Sequence, residues 1–222
     1  MNKNAKVVPV CIMYLNGVRL NVTCEGAFRG ITVINVLDKT GKSYIHFDFA
    51  ELGRENRKEF DDSLDSEVSM HLGFKDNTRE VFFGRITATE IDHSQYGSKY
   101  IVTVSSFLSL LEHGRKVRTF ERMTPSQAIK TTLDRYNLQA DCEPFGPEIP
   151  FWQSHERTDL QMIRDMAKQY GRDICCIGKK VYVKRLKTML KDEHIYERGK
   201  NLISFEVKES FNEQVWGVRT RV

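Results

Sequence analysis

The chain has 222 residues, enough for one large domain or two smaller ones, and its 40% hydrophobic residues can supply a core. Charged residues make up 29% with both signs interspersed, and a formal net charge of +4 is modest for this length, so nothing demands a polyanionic partner. No apolar stretch approaches bilayer length, and five cysteines at 11, 24, 142, 175 and 176 are odd in number and scattered, which argues against a disulfide framework and for reduced thiols in a cytoplasm.

The lysines ahead of "VVPVCIMYL" look superficially like a secretory signal. Pro9 interrupts that run, Asn16-Gly17 ends it, and no small-residue cleavage site follows, so a strand over 7–14 is expected instead. Asn16-Gly17 is a two-residue hairpin signal. Beyond it Val18, Leu20, Val22 and Cys24 alternate with polar residues, the pattern of a partner strand. Further strands are expected at Ile31 to Leu37, Tyr44 to Phe49, Val68 to Phe74, Val81 to Ile91 and Lys99 to Val104. Between them "ELGRENRKEFDDSLDS" at 51–66 carries dense mixed charge and few apolar residues, and is expected as a surface excursion between strands that can include a helical turn. Many short antiparallel strands without regular intervening helices imply a sandwich or a barrel.

After Val104 the period changes. "SSFLSLLEHG" suits a short helix capped by Ser105 or Ser106 and ended by Gly114. In "MTPSQAIKTTLDRY" Thr124 is an N-cap, Pro125 fits the first helical position and Gln127 completes a capping box. "RTDLQMIRDMAKQYG" repeats the device with Thr158 and Gln161, and Gly171 stops the helix. The proline-rich "DCEPFGPEIPFW" between these two helices is expected as an irregular connector. Asp173 to Ile177 and Lys180 to Val183 form a hairpin around Gly178-Lys179, with Cys176 beside Ile174 on the better buried face and Cys175 on the other. Strand patterns return at Leu202 to Lys208 and Gln214 to Val222.

The search for chemistry assigns no catalytic, cofactor-binding or metal residue. Cys142, His155 and Asp159 lie close in sequence and supply the residue types of a nucleophile, a base and an orienting acid, but proximity along a chain is poor evidence for a triad. No C-x-x-C occurs, and the adjacent Cys175 and Cys176 of a strand point to opposite faces, so they do not share a metal. His46 and His71 read as solvated. Asp61 and Asp62 fall in the charged excursion, and no phosphate loop is present. Lys179, Lys180, Lys184, Arg185 and Lys187 are the best basic cluster, with Tyr182 as the one aromatic for stacking.

Two stretches carry a resemblance. "MTPSQAIKTTLDRYNL" with "FWQSHERTDLQMIRDMAKQYGRDICCIGKKVYV", and upstream the "F-x-G-x-I" segment made by Phe82, Gly84 and Ile86, are similar to the baseplate and tail hub family. That family comprises the phage late control gene D protein, the T-even phage hub and the N-terminal part of the type VI secretion spike protein VgrG. The similarity covers roughly residues 65 to 185, with Asp159, Leu160, Ile163, Ala167, Tyr170 and Gly171 at matching positions. It implies an α+β chain: a first antiparallel β-barrel over 1–104, a mixed α/β domain with two capped helices over 105–190, and the start of a second, truncated β-barrel over 191–222.

The implied function is a structural, non-enzymatic hub component of a phage tail or contractile injection system baseplate. It would be a homotrimer in the full-length protein, forming part of the central conduit and connecting tail tube protein to spike protein. No cofactor, small-molecule substrate or membrane insertion is expected; nucleic acid would pass only through the conduit. Synthesis in the bacterial cytoplasm would precede incorporation into a particle. Two alternatives stand beside it: a cysteine hydrolase using Cys142 and His155, and a single-stranded nucleic-acid-binding barrel using the lysines.

Overall fold

The hairpin signal at Asn16-Gly17 is realised at the start of the chain. Both residues take positive φ, 50° and 81°, and join β1 (Pro9–Leu15) to β2 (Val18–Arg19) with Leu15 opposite Val18. A type I′ turn needs that backbone at both positions, and Asn-Gly adopts it at the least cost. The structure, a computed structural model, describes residues 9–185 apart from 21, 75, 76 and 96. The strands expected at 202–208 and 214–222, and with them the start of a second barrel at 191–222, lie outside the described residues.

β2 stops after two residues because the chain turns into α1 (Val22–Ala27), where the sequence pattern called for continued strand. Arg19 reaches forward to Glu25 at 2.6 Å, and Ala27 is buried. Val18, on the apolar side of that alternation, is exposed. The chain continues through β3 (Phe28–Ile34) and β4 (Lys42–Asp48), then α2 (Phe49–Asp62). After it come β5 (Glu67–Phe74), β6 (Asn77–Ser94) and β7 (Gly97–Ser105). These strands form one antiparallel seven-stranded sheet in the order β2-β1-β5-β6-β7-β4-β3.

The expected first barrel does not form. β2 and β3 stand at opposite ends of the strand order and do not pair, so the sheet stays open. β2 offers only two residues for closure, and α1 and α2 contribute to the core beside the sheet. Alternate residues of the strands, among them Met13, Ile45, Phe47, Val68, Met70, Phe82, Ile86, Tyr100, Val102 and Val104, meet Ala27 of α1 and Leu52 and Phe60 of α2 in one core.

The charged stretch at 51–66 is therefore largely helix. Asp48 caps it, accepting from the N–H groups of Ala50 and Glu51 at 3.0 and 3.1 Å. Gly53, at φ 72° and ψ 160°, breaks the helical path inside α2. Leu52 and Phe60 turn inward, and the Phe60 ring stands 5.4 Å from that of Phe47. Burying two such side chains contributes roughly 2–3 kcal/mol each, which offsets the low overall hydrophobicity of the segment.

A second core follows. A 3-10 turn over Phe107–Glu112 leads into β8 (Lys116–Met123), α3 (Pro125–Asp134) and β9 (Gln139–Cys142). Then come β10 (Ile149–Arg157), α4 (Asp159–Gln169), β11 (Asp173–Ile177) and β12 (Lys180–Lys184). β8 and β10 pair as an antiparallel ribbon, while β11, β12 and β9 form a small sheet in which β12 and β9 run parallel. The connector expected to be irregular thus contains the end of β9 and the start of β10. Both capping boxes are present: Thr124 with Gln127, and Thr158 with Gln161. Gly171, at φ 61°, ends α4 with N–H bonds from Gly171 to Lys168 and from Arg172 to Ala167, a Schellman closure. Ser106 stands at the start of the 3-10 turn but does not cap it; its hydroxyl accepts the Gly41 N–H instead.

Candidate functional site

The three residues that could make a triad are held apart by different tasks. Cys142 ends β9 with its side chain in the second core, where its thiol donates to the Glu143 carbonyl at 3.6 Å. Burial pushes the thiol above its usual range, against the pull of Lys130 and Arg172. His155 is exposed on β10, a strand of another sheet. Asp159 is buried at the first position of α4, and its carboxylate is taken by Arg118 of β8: Nε to Oδ1 at 2.9 Å and Nη2 to Oδ2 at 2.7 Å, with the Tyr136 hydroxyl also donating. Burial pushes that carboxyl up, but hydrogen bonds from Arg118 and Tyr136 and the guanidinium charge outweigh it, so it titrates below the ordinary range. A thiol without a base beside it has no route to a reactive thiolate.

The cysteine pair of β11 behaves as strand geometry dictates. Cys176 packs against the second core and donates to the Gly178 carbonyl at 3.2 Å, and burial pushes its thiol to about 12. Cys175 is half-buried. Among the described residues, no three His, Cys, Asp or Glu side chains converge on a point that could hold a metal ion. His71 is not simply solvated: it is half-buried, stacks edge-on against Tyr14 at 5.3 Å, and places Nε2 4.0 Å from Glu80. Asp61 accepts hydrogen bonds at 2.6 Å from both Tyr100 and Thr89, so this carboxylate ties α2 to the sheet.

The lysine cluster is largely engaged with acids. Lys179 pairs with Glu67 at 2.5 Å, and Lys180 and Lys184 both reach Asp141, at 3.1 and 2.6 Å. Lys180 and Lys184 also flank the Tyr182 ring. Phosphates would have to displace these carboxylates, and the open sheet supplies no closed barrel to track a strand. Lys187 lies outside the described residues.

A surface that sequence reasoning missed is the β8–β10 ribbon. Its inner face sets Phe120 against Trp152, with ring centroids 5.7 Å apart. Its outer face exposes Val117 and Phe151, at 60% and 58%, beside Thr119, Glu121 and Gln153. In "KVRTFERM" the apolar Val117 and Phe120 fall on opposite faces, so no apolar period marks the strand. Phe151 stands opposite Glu121, four positions along β8 from Val117, so the two are separate apolar exposures and not one continuous patch.

No protein family and no curated protein matches the sequence. Solved structures do match. The 43 kDa tail protein of prophage MuSo2 from Shewanella oneidensis superposes with a TM-score of 0.56 at 12% identity, covering 80% of this chain and 54% of that one. A tail protein from Neisseria meningitidis MC58 gives 0.55 at 12% identity over 79% of this chain and 50% of that one. The fold is that of phage tail proteins. The same arrangement is found in the E. coli c3393 protein, a component of the type VI secretion system with structural similarity to the T4 tail proteins gp27 and gp5. There the TM-score is 0.50 at 12% identity, covering 81% of this chain and 47% of that chain. The chain thus spans about half the length of the tail-fold structures it matches.

Proposed function

We propose that this chain is a structural hub component of a phage tail or contractile injection baseplate. In this role it assembles as a homotrimer, contributes to the central conduit, and links tail tube protein to spike protein. The observation that carries the reading is the tail-protein fold, reached at 12% identity and over 79–81% of the chain in the three neighbours described. The side chains agree with it: Cys142 and Asp159 serve the core, and Lys179, Lys180 and Lys184 are paired internally. A hub works by geometry, so rigid packing and contact surfaces are what it needs. Among the described residues, no helix is long and apolar enough to cross a membrane.

The test is biochemical and structural together. Sedimentation of the full-length protein at high concentration is expected to show a trimer, and mass spectrometry of purified tail or injection particles is expected to find this chain. A strictly monomeric full-length protein that is absent from assembled particles overturns the proposal.

A further inference from the structure

We propose that the β3–β4 loop, residues 35–41, is a releasable strap between the two hydrophobic cores, with Asp38 as its latch. The first core is built from the seven-stranded sheet with α1 and α2, the second from residues 107–183, and buried residues of the two do not merge into one cluster. The chain crosses from one to the other once among the described residues, between Ser105 at the end of β7 and Phe107 of the 3-10 turn.

This loop fastens the crossing at two places. At Gly41 it grips the covalent link: Ser106 N–H donates to the Gly41 carbonyl at 2.8 Å, and Gly41 N–H to the Ser106 hydroxyl at 3.0 Å. At Asp38 it grips β11, 136 positions away in sequence: Asp38 N–H donates to the Ile174 carbonyl at 2.9 Å, and Ile174 N–H donates to Asp38 Oδ1 at 2.9 Å. Asp38 thereby acts as a single-residue strand on the free edge of the β11-β12-β9 sheet. Its φ of 60° is one that asparagine, aspartate and glycine tolerate best. Lys168 of α4 stands 3.9 Å from Oδ2.

Beside these fastenings the packing is discontinuous. Two small gaps of about 70 and 110 Å³ lie along the junction, and both are bordered by Asn35, Ser106 and Cys176. The loop also leaves Val36 and Leu37 exposed. Further ties come from β5 and β6: the Phe83 ring meets Phe107 at 5.1 Å and packs on the second core, Lys179 lies 5.9 Å from the same ring, and Lys179 pairs with Glu67. A junction made of a few hydrogen bonds, ion pairs and one aromatic contact, with small solvent-open clefts along it, opens at lower cost than either core. Releasing Asp38 frees the edge of β11 and lets the second core move as a body about Ser106.

The experiment is amide hydrogen exchange on the full chain, with X-ray scattering in parallel. Asp38→Gly keeps the positive φ without strain and removes the Ile174 acceptor; Asp38→Asn keeps an acceptor oxygen. In D38G the Ile174 amide is expected to exchange about tenfold faster or more, while the amides of Leu133 in α3 and Val102 in β7 keep their rates. The scattering of D38G is expected to show a larger maximum dimension than wild type, and D38N is expected to match wild type in both. Unchanged Ile174 exchange in D38G overturns the proposal. So does equal acceleration at Leu133 and Val102, which is global destabilisation, or faster Ile174 exchange with an unchanged scattering profile, which confines Asp38 to its own strand.

Discussion

Arg118 and Asp159 meet through two parallel hydrogen bonds, at 2.9 and 2.7 Å, and join β8 to the first turn of α4 inside the second core. Removing one partner strands the other charge in a buried place, which costs about 3–5 kcal/mol. Asp159→Asn and Arg118→Ala are each expected to lower unfolding stability by about that amount, measured by urea denaturation at pH 7. Because the folded carboxyl titrates below its unfolded value of about 3.9, its contribution is full above that value and is lost as pH falls through the folded pKa. Wild type should therefore lose this contribution only below about pH 4, and Arg118→Ala should flatten that loss.

The two capping boxes give a smaller and more local effect. Thr124→Ala and Thr158→Ala each remove the acceptor for an N–H of the first helical turn. Each is expected to cost about 1 kcal/mol, read from denaturation midpoints. Because the two caps serve different helices with no bond between them, the double variant should lose close to the sum.

Phe60→Ala separates a core helix from a surface loop at 51–66. Phe60 is 2% exposed and its ring neighbours those of Phe47 and Tyr100. A loss of about 3–5 kcal/mol in thermal or chemical unfolding is expected for a buried aromatic. A change near zero would return the segment to the surface.

Gly84 explains why a glycine stands in the "F-x-G-x-I" segment. A Cβ at this position would lie 2.2 Å from the Ser105 carbonyl oxygen and 3.0 Å from the Phe82 ring. Gly84→Ala is expected to cost about 2 kcal/mol or more by forcing β6 away from the end of β7. Circular-dichroism melts would register it, and Gly30→Ala, with open space at its Cβ, is the matched control.

The thiols should be slow. Burial pushes Cys11 to about 11 and Cys176 to about 12. At pH 8 a thiol of pKa 11 is thiolate in roughly one molecule per thousand. Ellman's reagent is expected to modify these cysteines far more slowly in the native protein than in urea. Rapid native labelling of Cys142 would revive a nucleophilic role.

What the sequence made legible was local. Thr124 with Gln127, Thr158 with Gln161, Asn16-Gly17 and Gly171 act through bonds to residues within a few positions, and each behaves as its spacing implies. α1 was hidden because Val18, Leu20, Val22 and Cys24 alternate like a strand, and the turn away after Arg19 rests on contacts with the rest of the core. α2 was hidden because Gly53 and the charges dilute a stripe reduced to Leu52 and Phe60. The open sheet depends on which distant strands become edges, and the Asp38–Ile174 fastening spans 136 positions. Neither leaves a periodic trace. The failure of Cys142, His155 and Asp159 to meet is likewise a fact of tertiary placement.

The strand order has a kinetic consequence for synthesis. Pro9 faces Phe74 and Leu15 faces Val68, so β1 finds its long partner 53 to 65 positions downstream, and β4 must likewise wait for β7. Only the β1–β2 turn and the β3–β4 and β6–β7 hairpins are local pairings on this sheet besides β5–β6. A chain leaving the ribosome therefore carries β1 without its main partner until β5 emerges, and β4 with one side open until β7 does. Such long-range closure places folding in the millisecond-to-second range and makes the nascent strand edges the stage at which chaperone protection matters most.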